Sequence, residues 1–413
     1  MFEWIERLTL FETVLFITGI VILNLLYMYV VKAYMEKYYA RTMSPELALN
    51  RLRILSQYIY LIVVCISSFF TAILFMIRLV PYLHHLADPL HTLIALISTF
   101  TFIGILLTIN QLILMGITKK IRQTEETIKE EIVSSVKGLA FVFVPIMVFF
   151  TLIELLPEGF VGEMAFVPIA TLLLVFIPLV SSLFIGKLLK AHIMPESEIK
   201  DQLRNFIKEK TDLPDVKLYI WPTKKTKVAN ALVSGFGNVK EIYLTDYMLE
   251  NMKIKEIEAI LAHEIGHIKK HHLWKRIAYI AILPLGGYLL GNGFDWFEEN
   301  VMTIPVWLGL TVMIGLIIIY LVLVLNLIYR KHEREADEYV LKLGVDYRDF
   351  AAGLLKLSEL NQMVTKMNKV DESFQTHPST ARRVQWIIEK AGGTMEDFAE
   401  YRKERVEELK ESN

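Results

Sequence analysis

The sequence predicts a mainly α, polytopic membrane protein with seven transmembrane helices and a small cytoplasmic α/β domain between the fifth and sixth. Three observations predict it. Apolar residues make up 54% of the 413, above the roughly 45–50% of soluble domains, and they gather in seven runs near 11–31, 54–77, 92–115, 139–156, 164–186, 277–291 and 304–328. Lys and Arg crowd alternate loops. A polar insert at 188–276 changes from helical to strand-like periodicity and back.

Most runs reach the roughly 20 residues that a hydrocarbon core of about 30 Å requires. The first is preceded by Met1-Phe2-Glu3-Trp4-Ile5-Glu6-Arg7, which lacks a basic leader and a small-residue cleavage site, so it reads as a retained span. The fourth run is marginal. The sixth is short and contains Pro284, Gly286 and Gly287; a helix continuing from the insert into it supplies the missing length. Lys32, Lys37, Arg41, Arg51 and Arg53 follow the first run, and Lys119, Lys120, Arg122, Lys129 and Lys137 follow the third. The loops near 81–91, 157–163 and 292–303 contain no Lys or Arg. The positive-inside rule then places the insert and the C-terminal region in the cytoplasm. The resulting organisation is 1–187 with five spans, 188–276 the α/β insert, 277–328 a transmembrane hairpin and 329–413 a charged helical region.

Within the insert, Ile199, Leu203, Phe206 and Ile207 share a helical face after Pro195. Val216–Trp221, Lys227–Val233 and Val239–Leu244 read as strands, the last two joined by the turn signal Ser234-Gly235-Phe236-Gly237-Asn238. Such a hairpin edge suits support of the fold or pairing with an extended peptide. Net charge is −1, which predicts no nucleic-acid partner. The single cysteine, Cys65, lies in an apolar run, so neither a disulfide framework nor a Cys-based metal site can be built.

The insert ends on His263-Glu264-Ile265-Gly266-His267, an H-E-x-x-H pattern. Residues four apart share a helix face, so His263 and His267 can present two imidazoles to one Zn²⁺, and Glu264 can reach a water beside it. The implied chemistry is peptide-bond hydrolysis. A catalytic zinc takes three protein ligands. His271 and His272 lie a full turn further on, and the metzincin pattern fails at Lys270 and Leu273; both histidines read as surface or interface residues. The alternative is a distant carboxylate. Glu333 and Asp337, four apart after the seventh run, are placed to act as a ligand and as the hydrogen-bond partner of a liganding imidazole, whereas Glu335 should face away. The other reading of that cluster is a solvated charged face.

Asn230-Ala231 with Gly235-Phe236-Gly237-Asn238, then His263-Glu264-Ile265-Gly266-His267, Glu333-Arg334-Glu335-Ala336-Asp337, and His377-Pro378-Ser379 with Arg382 and Arg383 together resemble the integral-membrane zinc metallopeptidases of the CAAX prenyl protease 1 family. The HtpX-type proteases share these motifs with fewer spans. The resemblance implies one Zn²⁺ held by His263, His267 and Glu333, with Glu264 activating water. It implies catalytic roles for Asp337 and His377, and substrate contacts from Asn230, Ala231 and Arg382. It implies a peptide or protein substrate, prenylated in the eukaryotic members, and a water-filled chamber that Arg78, Asn110, Gln111 and Glu154 would line. The end Lys410-Glu411-Ser412-Asn413 has no retrieval signal, and the outer loops are short; both favour a prokaryotic cell membrane over the endoplasmic reticulum. A competing class is a non-catalytic scaffold or transporter with a relic zinc site. The intact Glu264, and the lack of inverted repeats with paired broken helices, argue against it.

Overall fold

The computed structural model describes residues 10–59, 88–154, 163–213, 216–234, 240–302, 309, 312, 315–317, 319–367, 372, 375 and 377–411. The chain forms two compact units, one of residues 1–173 and 292–309, the other of 174–291 and 310–413.

The first unit is helical. Helix α1 (Leu10–Thr42) precedes α2 (Pro45–Arg53), which Ser44 caps through the Leu47 amide and which runs on into a π turn at Ile54–Ile59. Helices α3 (Asp88–Arg122) and α4 (Ile128–Glu154) follow. Met28, Val31 and Met35 of α1 close on Ala48 and Leu52 of α2 and on Leu114, Ile117 and Ile121 of α3. Buried Asn24 donates to Asn110 at 3.0 Å, and Ser135 donates to Gln111, so both residues expected along a chamber have partners on neighbouring helices. Such pairing satisfies polar groups in an apolar surrounding. Arg78 lies outside the described residues, and Glu154 ends α4.

Among the described residues, five helical stretches are long and apolar enough to cross a membrane: Ile17–Thr42, Leu96–Arg122, Ile128–Val148, His272–Asn300 and Gly315–Lys342. The expectation was seven runs. The second run lies outside the described residues beyond Ile59. The fifth belongs to α5 (Glu163–Leu188), where only Val167–Phe176 qualifies, as a shorter apolar helix.

The second unit holds a four-stranded sheet in the order β1-β2-β4-β3. Strand β1 (His192–Ile193) pairs antiparallel with β2 (Val216–Trp221), and β2 pairs parallel with β4 (Lys240–Thr245). Edge strand β3 (Ala231–Ser234) forms an antiparallel hairpin with β4, Ala231 opposite Leu244. Strand β3 starts later than Lys227, because Lys227 takes a left-handed φ of 50° after a turn closed by the Thr226 amide on the Thr223 carbonyl. Helix α6 (Glu198–Lys210), capped by Ser197, buries Leu203, Phe206 and Ile207 as its periodicity predicts, while Ile199 stays exposed.

Helix α7 (Asp246–Asn251) leads to α8 (Ile254–Lys269), which carries the H-E-x-x-H pattern. The continuous helix expected beyond it is not formed. Helix α8 stops at Lys270, His271 turns left-handed at φ 55°, and a new helix α9 (His272–Ala281) begins. The sixth run gains its length at its other end, through α10 (Leu283–Asn300). After the seventh run come α11 (Leu325–Lys342), α12 (Tyr347–Leu360), α13 (Thr380–Lys390) and α14 (Met395–Glu411). Ile257, Leu261 and Ile265 of α8 pack in one apolar core with Ile242 and Leu244 of β4, Val340 of α11, Phe350 and Leu354 of α12, and Ile387 of α13.

One glycine lets α8 and α11 touch. A Cβ on Gly266 would stand 3.1 Å from the Ala336 Cα and 3.2 Å from the Ala336 carbonyl oxygen, and backbone cannot swing aside. Gly266→Ala is therefore expected to destabilise the protein by about 1–3 kcal/mol, the usual cost of overpacking. It should also weaken metal retention, because it pushes α11 off α8. Thermal unfolding and metal content measured on one preparation test both effects, and a fully stable, metal-replete variant would contradict the close contact.

Candidate active site

The α8–α11 contact sets two imidazoles of one helix against a carboxylate of the other. His263 Nε2 and His267 Nε2 are 3.2 Å apart. Each lies 3.4 Å from a carboxylate oxygen of Glu333, His263 facing Oε2 and His267 facing Oε1. Bonds of about 2.0–2.1 Å from a tetrahedral zinc require ligand atoms roughly 3.3–3.4 Å apart. The spacing of the three groups fits that ion. So does Glu333 Oε2, which is buried without a well-directed hydrogen bond. Among the described residues, His263, His267 and Glu333 are the group of His, Cys, Asp or Glu able to hold a metal.

Each imidazole is held from behind. The His263 Nδ1–H donates to Asp337 Oδ1 at 2.9 Å, leaving Nε2 free to bind a cation. Asp337 is itself fixed by a bidentate Arg383, with Nη2 to Oδ1 at 2.6 Å and Nε to Oδ2 at 3.0 Å. Behind His267 stands His272. The two Nδ1 atoms are 2.7 Å apart, and His272 Nε2 is 3.0 Å from Glu335 Oε2. This corrects one expectation. His272 is almost fully buried and not a surface residue. Glu335 points away from the cation site yet towards His272. In an unbroken helix, residue 272 would lie roughly 140° round from residue 267; the left-handed turn at His271 brings it back. His271 itself remains exposed.

Arg276 completes the surroundings, with Nη2 3.4 Å from Glu333 Oε1 and its guanidinium over the Tyr329 ring. His377 Nδ1 lies 2.8 Å from Glu333 Oε2, and its side chain is largely exposed. Glu264 is half-buried beside His263 and makes no hydrogen bond to another described residue. Burial pushes its carboxyl up to about 7; the charges of His263, His377 and Arg383 pull against that rise and Glu333 adds to it. The ligand imidazoles diverge. Burial opposes charge on His263, but its hydrogen bonds to Asp337 and Glu333 prevail and lift it to about 9. Burial and the neighbouring His263 drive His267 down to about 2. A single proton on His263 thus stands in for the cation.

These side chains open into a pocket of about 680 Å³ lined by His263, Glu264, His267, Glu333 and His377, with Asn230 and Ala231–Ser234 along one wall. Arg382 lies elsewhere. It pairs with Glu372 in a separate pocket, and its neighbour Arg383 is the arginine that reaches Asp337. Sequence reasoning missed His272, Arg276 and the specific part of Arg383. Only the Arg382-Arg383 pair gave a signal, as a feature of the resemblance.

Residues 194–391 match the family model described as Peptidase family M48. A CAAX prenyl protease 1 homolog of Arabidopsis thaliana is 29% identical over 205 residues, covering 47% of this chain and 48% of that protein. A protease HtpX homolog of Aquifex aeolicus is 26% identical over 267 residues, covering 56% of this chain and 87% of that protein. The crystal structure of S. mikatae Ste24p aligns with a TM-score of 0.58 over 90% of this chain and 98% of that one, at 18% identity, a likeness of fold. The chain spans about half the length of the CAAX prenyl protease relatives it matches. The matched stretch, residues 194–391, contains the side chains described around His263, His267 and Glu333.

Proposed function

We propose that the protein is a multi-pass membrane zinc metalloendopeptidase whose active site opens on the cytoplasmic side. The observation that carries this reading is the convergence of His263 and His267, with Nε2 atoms 3.2 Å apart, on Glu333, each imidazole 3.4 Å from a different carboxylate oxygen, beside Glu264 in a pocket walled by a sheet edge. A zinc ion bound there supplies Lewis acidity and an acidified water at neutral pH. Glu264 takes the proton from the attacking water and delivers it to the leaving amine. His377 lines the same pocket and stabilises charge developing on the scissile carbonyl oxygen, with Asp337 holding His263 in place. Strand β3 is paired on one side by β4, and among the described residues no strand covers its other side. An extended peptide adds there by main-chain pairing, with Asn230 and Ala231 at the start of the strand. The Lys- and Arg-rich loops after the first and third spans support the cytoplasmic placement.

The natural substrate divides two readings. Likeness to CAAX prenyl proteases favours a prenylated C-terminal peptide. Coverage of 87% of the HtpX homolog favours general cleavage of membrane-associated proteins. Purified protein assayed on prenylated and unprenylated forms of one peptide, with and without chelator, separates them. Cleavage of neither, by protein that holds zinc, would remove the peptidase reading.

The metal reading has its own pH signature. His263, lifted to about 9, carries a proton at neutral pH that a metal must displace. Zinc affinity is therefore expected to rise about tenfold per pH unit from pH 7 towards 9, with about one proton released per ion, and then to level off. Calorimetry in buffers of differing protonation enthalpy measures the release. An affinity flat across that range would contradict the proton-filled site.

A further inference from the structure

Hydrogen-bond chemistry gives the contacts behind His267 a direction. To offer the Nε2 lone pair to a metal while neutral, His267 must carry its proton on Nδ1. That proton points at His272 Nδ1, 2.7 Å away, which must therefore be the acceptor. The His272 proton then resides on Nε2, where it donates to Glu335 Oε2 at 3.0 Å. Lys275 Nζ stands 3.6 Å from the same oxygen. The chain of donors has one sense only, because a carboxylate at its end accepts and does not donate. The His272 ring has little freedom to leave this arrangement. It is 1% exposed and stacks on His332 with centroids 4.3 Å apart and planes within 10°.

We propose that His272 and Glu335 are positioning residues for the metal centre: Glu335 on α11, acting through the His272 imidazole at the start of α9, fixes the metal-binding tautomer and ring orientation of His267 on α8. The two ligand imidazoles are thus held by different devices. His263 leans directly on a carboxylate, and His267 reaches one through an intervening ring. The left-handed turn at His271 is what allows the second device. This inference rests on the reading of His263, His267 and Glu333 as metal ligands.

The test is zinc affinity, measured by competition with a chelating dye on the purified, detergent-solubilised full chain, with folding monitored by circular dichroism. His272→Phe keeps a buried ring stacked on His332 but offers no acceptor; zinc affinity should fall about 10- to 100-fold, the usual effect of removing a ligand's hydrogen-bond partner. Glu335→Ala should fall about tenfold, and Glu335→Gln, whose amide oxygen still accepts from His272, should stay within about threefold of wild type. His271→Asn, at the exposed neighbour, should bind as wild type does. Nitrogen-15 spectra of the zinc-bound protein should show His267 protonated on Nδ1 and His272 on Nε2. Wild-type affinity in His272→Phe, or a loss there with none in Glu335→Ala, overturns the relay. If His272→Phe fails to fold, Glu335→Ala against Glu335→Gln decides alone. A wild-type protein that binds no zinc defeats the underlying metal reading instead, which is a different result.

Discussion

Glu264→Gln is expected to leave zinc content and affinity near those of wild type while lowering peptide cleavage by roughly 10²–10⁴-fold, the span attributed to a positioned general base. The structure gives the reason for the split. Glu264 makes no hydrogen bond to another described residue, so an amide in its place disturbs little. What disappears is a carboxylate able to accept a proton beside His263. The loss should fall on kcat and kcat/KM together, because the interaction matters only once the water is attacking. Comparable turnover in zinc-loaded Glu264→Gln protein would move the base elsewhere, with His377 the next residue to examine.

Glu333→Ala should have the larger structural effect. It removes one of three ligands, so zinc retained after dialysis should drop to a small fraction of the wild-type stoichiometry, and cleavage with it. It also strips the carboxylate from a buried cationic surrounding: Arg276 at 3.4 Å and Arg383 at 3.9 Å lose a counter-charge. The cost stays below the roughly 3–5 kcal/mol of breaking a fully buried pair, because Arg276 is 35% exposed and Arg383 keeps Asp337. Metal-free Glu333→Ala should therefore unfold at lower temperature than metal-free wild type, a comparison that isolates the charge effect from the loss of zinc. Equal stability together with full zinc occupancy would place the third ligand on another residue.

How much of this was legible in the sequence depended on whether the responsible forces were local. His263 and His267 share a face because of helix period alone, and Glu333 and Asp337 do so for the same reason. The pairing of β3 with β4 was visible in two neighbouring strand-like runs; the glycine-rich segment 235–239 expected to turn between them lies outside the described residues. The position of His272 was not, because it depends on where α8 ends. Nothing at Lys270-His271 marks a stop: neither residue is a glycine, and a non-glycine left-handed turn is held by its surroundings. The start of β3 was misplaced for a related reason, since the turn around Thr223–Lys227 contains no glycine. Choosing between Arg382 and Arg383 needed the rotation of α13 against α11, which adjacent identical residues cannot disclose. Asn110 and Gln111 show the same limit in the first unit. Hydropathy marks them as costly, and only packing reveals Asn24 and Ser135 as their partners.

The interruption between α8 and α9 has a mechanical consequence. A single rigid rod running from the ligand-bearing turn into an apolar stretch would convert each change in bilayer thickness or tilt into a rotation of His263 and His267. The break at His271 ends that rod before the apolar stretch begins, while Gly266 keeps the portion bearing the imidazoles against Ala336. The first residue after the break, His272, still ties the apolar stretch to His267 and Glu335, so what crosses the break is carried by one buried ring.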